Sequence, residues 1–170
     1  MNLHGKELMD EALYSGANPL REHAARVVFE LTEQVRIDGM DGRFRTLRHQ
    51  GFLLAIDDLG AGYAALKQLV ELEPDFAKID MGLVRHIDFD SSKRMLVSSL
   101  VSVCRKLDVQ LVCEGVETEG EAKCLLSIGA NTQQGYYFSK PQPSFDLAAQ
   151  TPVVRKMKQL LVSRKKHASR

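Results

Sequence analysis

Six ionisable residues share one kind of position. Glu30, Asp57, Asp58, Lys78, Asp80 and Glu114 each lie at or just beyond the C-terminal end of a short apolar run that reads as a β-strand. In barrels and open α/β sheets, the carboxyl ends of strands are where sites assemble. A lone aspartate there is often only the cap of the next helix, and for Asp58 by itself the two readings stand level. Four successive strands ending in a carboxylate or a lysine point instead to a shared site. Carboxylates that converge in a low-dielectric cavity repel one another and call for cations. Their oxygen ligands suit hard divalent ions such as Mg²⁺ or Mn²⁺. Two such ions about 3.5–4 Å apart hold a phosphodiester and activate a water for in-line attack. Lys78 beside them would offset negative charge developing on the phosphate or on its attacking hydroxide. The five histidines (His4, His23, His49, His86 and His167) fall away from strand ends, which argues against zinc.

The elements that must position these residues alternate along the chain. Strands are expected at Val27–Leu31, Phe52–Ile56, Phe76–Ile79 and Val109–Cys113, with a last one near Gln134–Phe138. Phe52–Ile56 is continuously apolar, as buried parallel strands are. A helix from about Asp41 to Gln50 stops at Gly51, and one over Ala64–Leu72 is ended by Pro74. The longest helix is expected from Ser92 to Leu107, with Leu96, Leu100, Val103, Cys104 and Leu107 on its core face. Thr118-x-x-Glu121 resembles a capping box opening a helix that runs to Ile128. The order βαβαβαβαβ predicts an α/β protein with a parallel sheet.

Composition narrows the class. The chain has 170 residues, 44% of them hydrophobic, enough for one soluble domain with a real core. Its apolar runs are far too short for an integral membrane segment. The opening MNLHGKELMDE does not read as a secretory signal. Cys104, Cys113 and Cys124 form no CxxC, so they are read as reduced core residues of a cytoplasmic protein. The formal net charge of +1 hides an asymmetry: seven of the 23 basic residues and no acidic ones lie in Thr151–Arg170. The rest carries 16 basic against 22 acidic residues, a net of −6, which does not suit DNA binding. The basic tail reads as a solvated, partly helical segment.

The short strings around these positions resemble a known family. AIDDLGAGYAAL, FAKID, CEGVET and QGYYFSKPQP occur in the order and spacing of EAL domains, the cyclic di-GMP phosphodiesterases of bacteria. FELTE is similar to the family's EITE-like strand, and the opening NLHGKEL to its N-V-S segment. The resemblance covers roughly residues 2–143, so residues 1–145 are taken as the domain and 146–170 as the tail. It implies a TIM-type (β/α) barrel and hydrolysis of cyclic di-GMP to linear pGpG with Mg²⁺ or Mn²⁺, in a two-metal site. It further implies that Asn2, Glu30 and Asp57 coordinate the first metal and that Asp58 serves the second. By the same resemblance Lys78 stands beside the metal-bound water, Glu114 belongs to the metal site or acts as general base, and Gln134 lies near the catalytic water. Glu33 would steady the loop after its strand, and Glu117 falls in the corresponding EGVE segment. A homodimer is implied as well.

Two departures from the family pattern carry consequences. DDLGAGY stands where the family has DDFGTGY, so Ala61 removes a hydroxyl from the loop after the aspartates. The Glu-Ala-Leu segment that names the family belongs upstream of Asn2, and only Met1 precedes it here. A barrel of this type takes at least about 200 residues. The expectation is therefore an incomplete barrel, about five parallel strands plus a stub at Asn2, with one metal ligand missing and activity impaired. The alternative is a catalytically silent EAL module that binds cyclic di-GMP or a protein partner. Two other classes fail on spacing. A dinucleotide fingerprint at Gly60 and Gly62 would need a third glycine where Ala65 stands. A phosphoacceptor receiver would need a further strand-end aspartate between Asp58 and Lys78.

Overall fold

The computed structural model describes residues 1–32, 35, 40–60 and 62–141. Glu33 and the basic tail lie outside the described residues, and so does Ala61. Six strands form one sheet: β1 (Asn2–Leu3), β2 (Val28–Leu31), β3 (Leu53–Leu59), β4 (Phe76–Ile79), β5 (Gln110–Cys113) and β6 (Thr132–Gln133). All five pairings are parallel, and the spatial order follows the chain order from β1 to β6. A doubly wound sheet would reverse direction at a switch point; strict succession is the order of a (β/α) barrel. Among the described residues β1 and β6 are the two edges of the sheet. This is the expected set of five strands plus a two-residue stub.

The helices are α1 (Asp41–His49), α2 (Tyr63–Leu72), α3 (Met81–Val84), α4 (Ser91–Lys106) and α5 (Glu119–Ser127). Three 3₁₀ segments, Glu7–Met9, Glu11–Tyr14 and Arg21–Arg26, lie between β1 and β2. Alternate strand residues point to the helical side and are buried there: Phe29 and Leu31, Leu54 and Ile56, Ala77 and Ile79, Leu111 and Cys113. They build two apolar clusters. One joins Leu3, Phe29, Leu31, Leu54, Phe44, Leu47 and Phe52; the other joins Ile56, Ile79, Val97, Leu100, Cys113 and Leu125. Phe29 and Phe52 meet with ring centroids 4.8 Å apart. Phe29→Ala should cost about 3–5 kcal/mol of stability. A urea midpoint close to the parent's would contradict that placement.

Three sequence expectations are corrected. The last strand lies at Thr132–Gln133, upstream of Gln134–Phe138. Gly135, at φ +157°, instead begins a turn in which Phe138 and Ser139 donate to its carbonyl. A Cβ there would collide with the Val116 backbone, so only glycine fits this close approach. The core face of α4 is Val97, Leu100, Val101 and Cys104, whereas Leu96, Val103 and Leu107 are exposed. That helix is apolar on two sides, and its docking on the sheet selects one of them. Finally, β3 continues through both aspartates rather than ending at Ile56. The three cysteines are free thiols, and burial pushes Cys104 up to about 11 and Cys113 up to about 12.

Candidate functional site

Strand alternation places Glu30, Asp57 and Lys78 on the face of the sheet opposite the helical core. Glu30 is in β2, level with Asn2 of β1 on one side and Ala55 of β3 on the other. In β3 the register against β4 shifts between Ile56 and Leu59, so Asp57 and Asp58 sit at a β-bulge. Bulges re-aim side chains and recur beside active sites. Here Asp58 takes a left-handed backbone (φ 56°), and its N–H donates to Asp57 Oδ1 at 3.1 Å. Lys78 lies in β4 opposite Val112, and Glu114 follows the end of β5, where its N–H donates to Ile79 O.

These placements bring residues from four strands to one ammonium. Lys78 Nζ donates to Glu30 Oε2 at 3.0 Å and lies 3.1 Å from Asp57 Oδ1 and 3.0 Å from Glu114 Oε1. The lysine side chain is only 15% exposed. Burial alone would lower its pKa, but the carboxylates of Glu114, Glu30 and Asp57 outweigh burial and raise it well above the ordinary lysine value. It is therefore a fixed cation at any physiological pH.

The other expected residues are distributed differently. Asn2 is exposed at the sheet edge beside Glu30. Asp80 is an N-cap: its Oδ1 accepts from Gly82 N at 2.7 Å. Gln134 has an exposed side chain, and its backbone is stitched to the loop after β5 through Cys113 O and Val116 N. Glu117 pairs with Arg85 at the surface, which holds its carboxyl below the usual range. One residue was legible only as a helix signal. Glu121, noted as half of a capping box, is buried and accepts three backbone donors. Nothing in its spacing shows that burial.

Three carboxylates around one ammonium leave two uncompensated negative charges if all are ionised. Glu114 Oε1 is also buried without a hydrogen bond, because its approach to Nζ is close but poorly directed. A buried carboxylate oxygen without a hydrogen bond, in an all-oxygen, net-negative set, fits a hard divalent cation. The fit is chemical rather than ready-made. Among the described residues no group of three or more His, Cys, Asp or Glu is arranged to hold a metal, since these carboxylates converge on Lys78. An ion would have to enter beside the ammonium and draw them outward.

A family model described as EAL domain matches residues 1–141. The probable cyclic di-GMP phosphodiesterase PdeG of Escherichia coli K12 is 35% identical over 124 residues, 71% of this chain and 24% of that protein. The cyclic di-GMP phosphodiesterase PdeB of Shewanella oneidensis is 38% identical over 121 residues, 69% of this chain and 14% of that protein. This chain thus spans well under half the length of these relatives. Among solved structures, the calcium and cyclic di-GMP complex of Klebsiella pneumoniae BlrP1 superposes with a TM-score of 0.72 at 36% identity, covering 82% of this chain and 38% of that one. A manganese and cyclic di-GMP complex of the same protein gives 0.70 at 35%, with the same coverage of each chain. No helix among the described residues is long and apolar enough to cross a membrane.

Proposed function

Because this chain belongs to the EAL domain family, we propose that it hydrolyses one phosphodiester bond of cyclic di-GMP to give linear pGpG. The observation that carries this reading is the convergence of Glu30, Asp57 and Glu114 on Lys78 at 3.0–3.1 Å. Glu30, Asp57 and Glu114, with neighbouring Asp58 and Asn2, would hold Mg²⁺ or Mn²⁺. The metal, when bound, supplies an activated water and Lewis-acid polarisation of the phosphate. Lys78 holds its proton and places a fixed positive charge where the phosphoryl oxygens gain negative charge. Glu114 Oε1, buried without a hydrogen bond although 3.0 Å from Lys78 Nζ, would accept a proton or a ligand. Glu33 and Gln134 are assigned by likeness alone, as a loop anchor and a water-side residue. The same reading carries with it a homodimer and a cytoplasmic location.

The test is direct. The chain is incubated with cyclic di-GMP and Mn²⁺ or Mg²⁺, and pGpG release is followed chromatographically. Slow turnover that stops on chelation is the expected result. Binding without turnover would replace this reading with that of a silent cyclic di-GMP receptor, and neither binding nor turnover would refute both.

A further inference from the structure

Glu121 is 1% exposed, an unusual setting for a carboxylate. A capping-box glutamate ordinarily returns one hydrogen bond, to the N–H of its own N-cap. This one does more. Its Oε2 accepts from Thr118 N at 3.1 Å and from Glu117 N at 2.8 Å, and its Oε1 accepts from His86 N at 2.9 Å. Burial alone would raise its pKa, yet the backbone donors of Glu117, His86 and Thr118 hold it below the usual range, so it is an anion. Three segments meet on it: the first turn of α5, the loop after β5, and the connection from α3 to α4, where His86 itself has φ 57°.

Two independent contacts fasten the same junction. Arg85 pairs with Glu117 across it. Gly120, in the first turn of α5, lies so close to Asp88 that a Cβ would collide with the carboxylate. The loop held in this way is the one that begins at Glu114. Its other ties run into the candidate site: Glu114 N to Ile79 O, the residue after Lys78, at 3.3 Å, and Val116 N to Gln134 O at 3.0 Å.

We propose that Glu121 is a positioning residue, whose buried carboxylate holds the Glu117, Thr118 and His86 amides and so sets where Glu114 stands against Lys78. Its consequence for turnover rests on the phosphodiesterase reading; its consequence for the loop rests on geometry alone.

The experiment compares the full chain with Glu121→Ala, Glu121→Gln and Thr118→Ala, reading amide hydrogen exchange and, separately, kcat and KM for pGpG release. Thr118→Ala removes the cap hydroxyl that Glu121 N donates to, a comparable loss for the helix, but leaves the carboxylate in place. In Glu121→Ala the Glu114 and Val116 amides should exchange at least about tenfold faster, by local opening. Its kcat should fall about tenfold to a hundredfold with a smaller change in KM, the signature of a misplaced catalytic group. Glu121→Gln keeps one acceptor oxygen and should fall between Glu121→Ala and the parent. Thr118→Ala should leave Glu114 exchange and kcat near the parent's. Parent-like exchange at Glu114 and Val116 in Glu121→Ala would overturn the proposal, as would an equal effect of Thr118→Ala. A parent chain without turnover would sink the phosphodiesterase reading, while the exchange comparison would still decide the role of Glu121. Should Glu121→Ala not fold, Glu121→Gln carries the same comparison.

Discussion

Lys78→Met should abolish measurable pGpG release and, without divalent ions, lower folding stability by about 3–5 kcal/mol. The side chain keeps nearly the same length and loses the charge together with its N–H donors. Glu30, Asp57 and Glu114 then face one another, all less than one-third exposed, with nothing positive between them. Removing one partner of a buried ionic cluster is costly because the charges left behind are uncompensated. Turnover falls for a second reason: a fixed charge aimed at a developing oxyanion is worth on the order of 3 kcal/mol, or about a hundredfold. The stability loss carries its own control. A divalent ion binding the same carboxylates stabilises the folded state by mass action. Millimolar Mn²⁺ should therefore recover more stability in Lys78→Met than in the parent, as read from urea melts with and without the ion. A variant as stable as the parent and indifferent to Mn²⁺ would show that these carboxylates do not form a coupled site. Lys78→Arg should retain part of the stability and little turnover, since a larger planar guanidinium cannot place its charge at the single point where the three carboxylates converge, as a compact ammonium does.

Asp57→Asn should have the opposite sign in stability and the same sign in activity. Asparagine keeps the shape at the β3 bulge but removes one of three negative charges around Lys78. Repulsion between Glu30 and Glu114 is then better balanced by the ammonium, so the variant should be no less stable than the parent when no metal is present. Metal affinity should drop by at least about tenfold, since even groups that merely support a ligand are worth that much. Turnover should fall by about a hundredfold or more. Calorimetric titration with Mn²⁺ and pGpG release measure the two effects. Unchanged Mn²⁺ affinity would remove Asp57 from the ligand set. The double variant Lys78→Met/Asp57→Asn should be less destabilised than Lys78→Met alone, because neighbouring charges do not contribute additively.

Much of this molecule was legible without coordinates because its signals are local. Short β-rich runs marked β2, β4 and β5, and Pro74 and Gly51 marked where helices stop. The Thr118–Glu121 capping box is present with both of its hydrogen bonds. A carboxylate or lysine at the end of each of four successive strands, β2 to β5, follows from the same periodicity, since strand alternation and the turn into a helix depend only on neighbouring residues. Three features depended on contacts between distant parts of the chain. Residues 30, 57, 78 and 114 meet at one ammonium only once parallel pairing sets the register of four strands. The core-facing side of α4 was ambiguous because Leu96 and Val103 extend an apolar stripe as plausible as that of Val97 and Val101, and only docking on β5 chooses between them. The burial of Glu121 and the turn at Gly135 arise where the loop after β5 is packed between α3, α5 and the end of β6. Local spacing determines which residues share one face of one element, whereas register and burial are set by the surfaces those elements meet.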